Sequence, residues 1–144
     1  MTEPTTWQLL GDVEACLQRI TVANGFRTDA GLAVTREPSR VPESESAVIG
    51  LALGRLEPPD QPGLARTHRK ASIVIVGKIA VDSTDDQARL HDLLDDITRA
   101  IDGQATRFGA GRALPTFVSA SPIEPEPGVK WLGLTVIYSA HVLR

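Results

Sequence analysis

Apolar residues recur every three or four positions at the start of the chain. Trp7, Leu10, Val13, Leu17 and Ile20 fall on one stripe, which predicts an amphipathic helix from Thr5 to Val22. Thr5 and Gln8 have capping-box spacing, and Asn24-Gly25 supplies a stop. Cys16 lies beside the stripe and reads as a small buried residue. The turn-rich segment Asn24 to Gly31 then links the helix to a short strand, Leu32 to Glu37. Pro38 to Ser46 reads as an exposed hairpin loop leading into a second strand, Ala47 to Leu56.

The prolines of Glu57 to Gly63 forbid regular structure there. The strongest strand signal follows within Arg66 to Asp82. Ile73, Ile75, Ile79 and Val81 lie on one side and Val74, Val76 and Ala80 on the other, a pattern expected of a strand covered on both faces. Ser83 to Asp102 predicts a helix with Leu90, Leu93, Leu94, Ile97 and Ile101 as its buried stripe. Ser83 and Asp86 have capping spacing, Asp85 and Asp86 suit the positive end of the helix dipole, and Gly103 supplies the stop. After a glycine-rich loop, Gly103 to Pro115, the segments Phe117 to Ile123 and Val129 to Leu143 read as a closing hairpin. In the last strand Leu132, Leu134, Val136, Tyr138 and Val142 face one way, and Val129, Trp131 and Ile137 the other.

The order helix, three strands, helix, two strands predicts one α+β domain over residues 1–144. Its sheet is mixed but mostly antiparallel, of about five strands, with the two main helices packed on one face. The second face then needs the long loops or another subunit.

Composition changes this picture little. Hydrophobic residues make up 42% and charged residues 23% of the 144, as in ordinary globular domains. The net charge of −3 gives no general attraction to nucleic acid or anionic membranes. A single cysteine rules out an internal disulfide and a multi-thiolate metal site. The first residues lack a basic segment followed by an apolar run, and no apolar stretch approaches the ~20 residues of a membrane helix. The expectation is a soluble protein, intracellular at synthesis.

Candidate chemistry is thin. His91 and Asp95 share a helix face, but no second ligand pair accompanies them, so the acidic set Asp85, Asp86, Asp92, Asp95 and Asp96 reads as a solvated helix surface. His68 and His141 fall in separate predicted strands. No serine sits in a nucleophile elbow, and Gly109-Ala110-Gly111 follows a helix and lacks the Gly-Lys-Ser/Thr ending of a phosphate loop. Two basic groups remain, Arg66, Arg69 and Lys70, then Arg107 and Arg112. No aromatic residues interleave with them to stack bases.

The helix ending in Ile20-Thr21-Val22-Ala23-Asn24-Gly25-Phe26-Arg27-Thr28-Asp29-Ala30-Gly31 and running into Val34-Thr35-Arg36 resembles the opening of the tail terminator and tail completion proteins of long-tailed bacteriophages. The later order is similar too: a strong central strand, a helix beginning near Ser83-Thr84-Asp85-Asp86, a glycine-rich loop and a final strand near the C-terminus. The resemblance implies a homo-oligomeric ring, commonly a hexamer, in the virion at the head-proximal end of the tail tube, assembled in the host cytoplasm. The ring stops tube polymerisation and joins the head-tail connector protein. DNA passes through it without specific binding, and the family has neither enzymatic activity nor a cofactor.

Charge complementarity suggests a contact between neighbouring subunits in which Arg66, Arg69 and Lys70 meet the side of the acidic helix bearing Asp85, Asp92 and Asp96. Arg107 and Arg112 are further interface candidates. The loops Pro38 to Ser46, Glu57 to Ala65 and Gly103 to Pro115 are expected to reach neighbours. The competing readings are a head-tail connector or neck protein of the same particle, a small enzyme, for which a cluster around His91 would speak, and a ligand-binding module, marked by a buried polar pocket.

Overall fold

The computed structural model describes residues 3–37, 46–81, 84–124 and 126–144. Its elements follow the predicted order: α1 (Thr5–Leu17), β1 (Val34–Thr35), β2 (Ala47–Glu57), β3 (His68–Ala80), α2 (Asp86–Ile101), β4 (Thr116–Ile123) and β5 (Trp131–Leu143). The strands form one five-stranded sheet in the order β1-β2-β3-β5-β4. Every pairing is antiparallel except β1 with β2. Both helices pack on the same face of the sheet, so the chain is an α+β fold with a mixed, mostly antiparallel sheet.

Between the helices and the sheet lies one core. Leu9, Leu10, Val13, Cys16 and Leu17 from α1 and Leu90, Leu93, Ile97 and Ile101 from α2 meet Ile49, Leu51, Ile73, Ile75, Leu134, Val136 and Tyr138. α2 sits close on the sheet where glycine permits it: a Cβ on Gly77 would lie 2.8 Å from Leu93 Cδ2. Burial also raises the Cys16 thiol pKa above its ordinary value, as expected of an inert packing cysteine.

Several expectations need correction. The first helix stops at Leu17, not Val22, because the β-branched run Ile20-Thr21-Val22 favours an extended chain, and Ile20 O accepts the Gly31 amide at 2.8 Å. Thr21, fully extended, caps a separate 3-10 turn, Val22–Asn24. The residue before α1 is Pro4, which makes no side-chain cap, and the Gln8 amide oxygen accepts from Arg112 in place of a capping-box bond. Trp7 is not buried; its ring lies under the Arg36 guanidinium, 4.1 Å from carbon to centroid.

The strand expected over Leu32 to Glu37 is only two residues long. It runs parallel to β2, so Pro38 to Ser46 cannot be a hairpin connection; residues 38–45 themselves lie outside the described set. The cap expected from Ser83 lies outside it too. Along β3, burial alternates strictly. Ala71, Ile73, Ile75, Gly77 and Ile79 are sealed beneath the helices, whereas Val74, Val76 and Ala80 are half-exposed and Val81 lies beyond the strand, exposed. Both sides are apolar, as the pattern implied, but the described chain covers only one of them along the middle of the strand.

Candidate functional site

The two charged groups expected to meet across a contact between subunits lie apart within one copy. β3 spans thirteen residues, roughly 40 Å, and places Arg69 and Lys70 at its start, far from Ala80, whose carbonyl receives Arg89 near the beginning of α2 at 3.1 Å. Lys70 Nζ binds Asp60 at 3.0 Å, and Arg69 donates to the carbonyls of Ala65 and His68. Arg66 and Arg107 are exposed, the latter donating to Gln104.

Arg112 is a structural clamp. Its guanidinium donates to Asp12 and, at 2.9 Å, to Gln8, so the glycine-rich loop is tied to α1. The Arg112 guanidinium lies against Gly109, where a Cβ would have to push it aside. The same loop continues along β5, where Leu143 N donates to Gly111 O at 2.9 Å. The 57–65 loop likewise folds onto the chain's own sheet through Asp60. Two of the three loops expected to reach neighbours are thus engaged internally.

The acidic helix is not uniformly solvated. Asp96 is 0% exposed; its carboxylate accepts the Arg27 amide at 3.0 Å and both the amide and hydroxyl of Thr28 at 2.8 Å. A buried carboxylate persists where such donors replace water. Asp96 therefore latches the 26–30 turn to α2 and is withdrawn from any contact with a neighbour. Asp86 is also buried and pairs with Arg89 at 2.9 Å. Asp95 binds Arg27 at 3.0 Å, Asp92 is half-exposed, and Asp85 stands exposed just before the helix.

The hollow nearest to a chemical site has a volume of about 550 Å³ and is lined by Asp60, Leu64, His68, His141 and Leu143. Pairing of β3 with β5 brings the two histidines together, since Lys70 faces His141 and His68 faces Leu143. Asp60 is shared between Lys70 and His141, whose Nε2 is 3.8 Å away, and His68 Nδ1 is 2.8 Å from Thr67 Oγ1. Among the described residues no group of three His, Cys, Asp or Glu is arranged to hold a metal ion. His91, exposed, lines a shallow apolar groove between α2 and β4 with Leu90, Leu94 and Pro122.

Large apolar side chains also remain accessible at the sheet's margins. One cross-strand row, Leu53–Ile73–Tyr138–Phe117, spans β2, β3, β5 and β4 on the helix side. Its inner members are 0% exposed, but Leu53 is 39% and Phe117 45% exposed. Beside Leu53, an open cup of about 500 Å³ is formed with Pro4, Trp7, Leu10, Arg36 and Ala52. At the other margin the Phe117 ring meets Tyr138 edge-on at 5.7 Å, Val118 projects at a bulge, and Tyr138 donates to the exposed Asp102 at 3.1 Å. Sequence periodicity marks these residues as strand positions; only the strand register reveals that they end one row, Phe117 on the edge strand β4 and Leu53 on β2 beyond its pairing with β1.

No family model and no curated protein matches this chain.

Proposed function

We propose that this chain is a structural virion protein, a tail terminator that closes into a ring, a hexamer, on the head-proximal end of the tail tube. There it stops tube polymerisation and offers the surface to which the head-tail connector protein joins. The observation that carries the proposal is the uneven finish of the sheet. Ile73 and Ile75 are sealed by the helices, whereas Val74, Val76 and Ile137 on the opposite face, and Leu53 and Phe117 at the margins, keep apolar surface in water. Apolar surface left this way favours association. Support also comes from the resemblance over Ala23 to Arg36, a segment held by the buried Asp96 carboxylate. In a cyclic ring one patch meets a different patch on the next subunit, which suits a domain with unlike margins.

The test is assembly with the tail-tube protein of the same particle. Electron microscopy of the isolated protein is expected to show rings, and adding it to growing tubes is expected to cap one end and halt elongation. Rings that ignore the tube but bind portal or adaptor protein would move the chain to the neck. A protein that neither assembles nor caps tubes contradicts the proposal.

A further inference from the structure

We infer that Asn24 is a site of spontaneous deamidation, and that the hydrogen bonds of its turn, anchored by Asp96, hold the reaction in check. The reaction needs no second copy of the chain, so it is independent of the ring reading.

Asn24 is the single asparagine of the chain, and a glycine follows it. Asparagine is thermolabile because its side-chain carbonyl carbon lies within reach of the next main-chain nitrogen. Loss of the Gly25 amide proton lets that nitrogen attack Asn24 Cγ. A five-membered imide ring forms, and Nδ2 takes up a proton and departs as ammonia. Water then adds across the ring at either carbonyl and opens it. One opening leaves aspartate at position 24; the other leaves isoaspartate, in which the main chain runs through the former side chain.

The turn makes this pair reactive and guards it at once. Gly25 has a φ of +89°, a conformation that L side chains rarely adopt, so the turn selects glycine there. That choice leaves the attacking nitrogen with no neighbouring side chain to shield it. Both residues are exposed, so solvent base and water reach them. Against this, the Gly25 amide donates to Val22 O at 3.0 Å and Asn24 Nδ2 donates to Arg19 O at 2.9 Å. The attacking nitrogen and the leaving group are thus both tied until the turn opens. Phe26 N to Thr21 O at 3.1 Å and Val22 N to Asp29 Oδ1 at 2.8 Å close it further. Just beyond, the buried Asp96 carboxylate accepts from Arg27 and Thr28, so opening works against that latch and is infrequent. The product does not restore the turn. A carboxylate at position 24 has no proton for Arg19 O, and it adds negative charge to a turn that already holds the Asp29 carboxylate. Isoaspartate puts an extra main-chain carbon between Thr21 and Phe26.

The experiment incubates the full chain in mildly alkaline buffer, folded or unfolded in guanidinium chloride. Mass spectrometry follows the peptide containing residue 24, and a methyltransferase assay follows isoaspartate. In the unfolded chain the amide-to-acid mass change and isoaspartate are expected to accumulate at residue 24. In the folded chain the reaction is expected to run slower by roughly tenfold or more. Asp96→Ala and Thr28→Val both loosen the latch and are expected to speed the folded reaction several-fold, with circular dichroism to confirm folding. Thr28→Val removes only one hydroxyl donor, so it carries the test if Asp96→Ala does not fold. Asn24→Gln, whose longer side chain must close a larger ring, is expected to stay unchanged at residue 24. Equal rates in the folded and unfolded chain, or latch variants no faster than the unaltered protein, overturn the guarding role of the turn. An unfolded chain that stays unmodified at residue 24 overturns the site itself.

Discussion

The two faces of β3 are built from the same kinds of residue and have opposite fates. Ile73 and Ile75 are enclosed beneath α1 and α2, while Val74 and Val76, one residue away, are half-exposed. The difference shows that an apolar strand pattern reports what a face can bury, not what its own chain buries. One face holds the fold together; the other, with the sheet margins, keeps apolar surface in water.

The comparison is sharpened most by truncating both faces. Ile75→Ala opens a cavity in the sealed core and is expected to cost about 2–5 kcal/mol of unfolding free energy in chemical denaturation. Asp96→Ala leaves the Arg27 and Thr28 amides without their acceptor and is expected to cost about 2–4 kcal/mol, with hydrogen exchange accelerated at those two amides first. Gly77→Ala forces a Cβ against Leu93 and is expected to cost about 1–3 kcal/mol.

The alkaline limb of stability reports on the same core. Burial, and then the nearby Asp102 carboxylate and its hydrogen bond, hold the Tyr138 phenol above its ordinary pKa. A raised pKa in the folded state stabilises the protein fully below the unfolded value, near ~10, and that stability is lost as the pH climbs through the folded value. Tyr138→Phe is expected to flatten this alkaline decline and to cost about 0.5–1.5 kcal/mol near neutrality. The smallest effect belongs to the open face: Val76→Ala is expected to cost about 1 kcal/mol or less in the isolated subunit. Equal losses from Val76→Ala and Ile75→Ala would erase the distinction between the faces.

Much of the fold was legible because its signals are local. The 3.6-residue spacing of Leu90, Leu93, Ile97 and Ile101 and the alternation along β3 require no knowledge of distant residues, and both elements form where that spacing places them. The parallel β1–β2 pair was not legible, since proline and serine between two apolar segments suit a hairpin as well as a crossover. Asp96 reads as one more surface acid among Asp92 and Asp95; its burial depends on Thr28, 68 residues away, presenting two donors to it. Arg112 reads as a free loop cation for the same reason, its partners Asp12 and Gln8 lying about a hundred residues earlier. The Leu53–Phe117 row is hidden more deeply. Its alignment exists only once four strands have taken one register, which no segment of sequence specifies alone.

The central claim, that this sheet is completed by other copies of the chain, is tested most directly by sedimentation equilibrium of the unaltered protein over a wide concentration range. The account predicts a closed assembly whose mass is a fixed multiple of the subunit and does not grow further as concentration rises. A single species at the subunit mass throughout contradicts it.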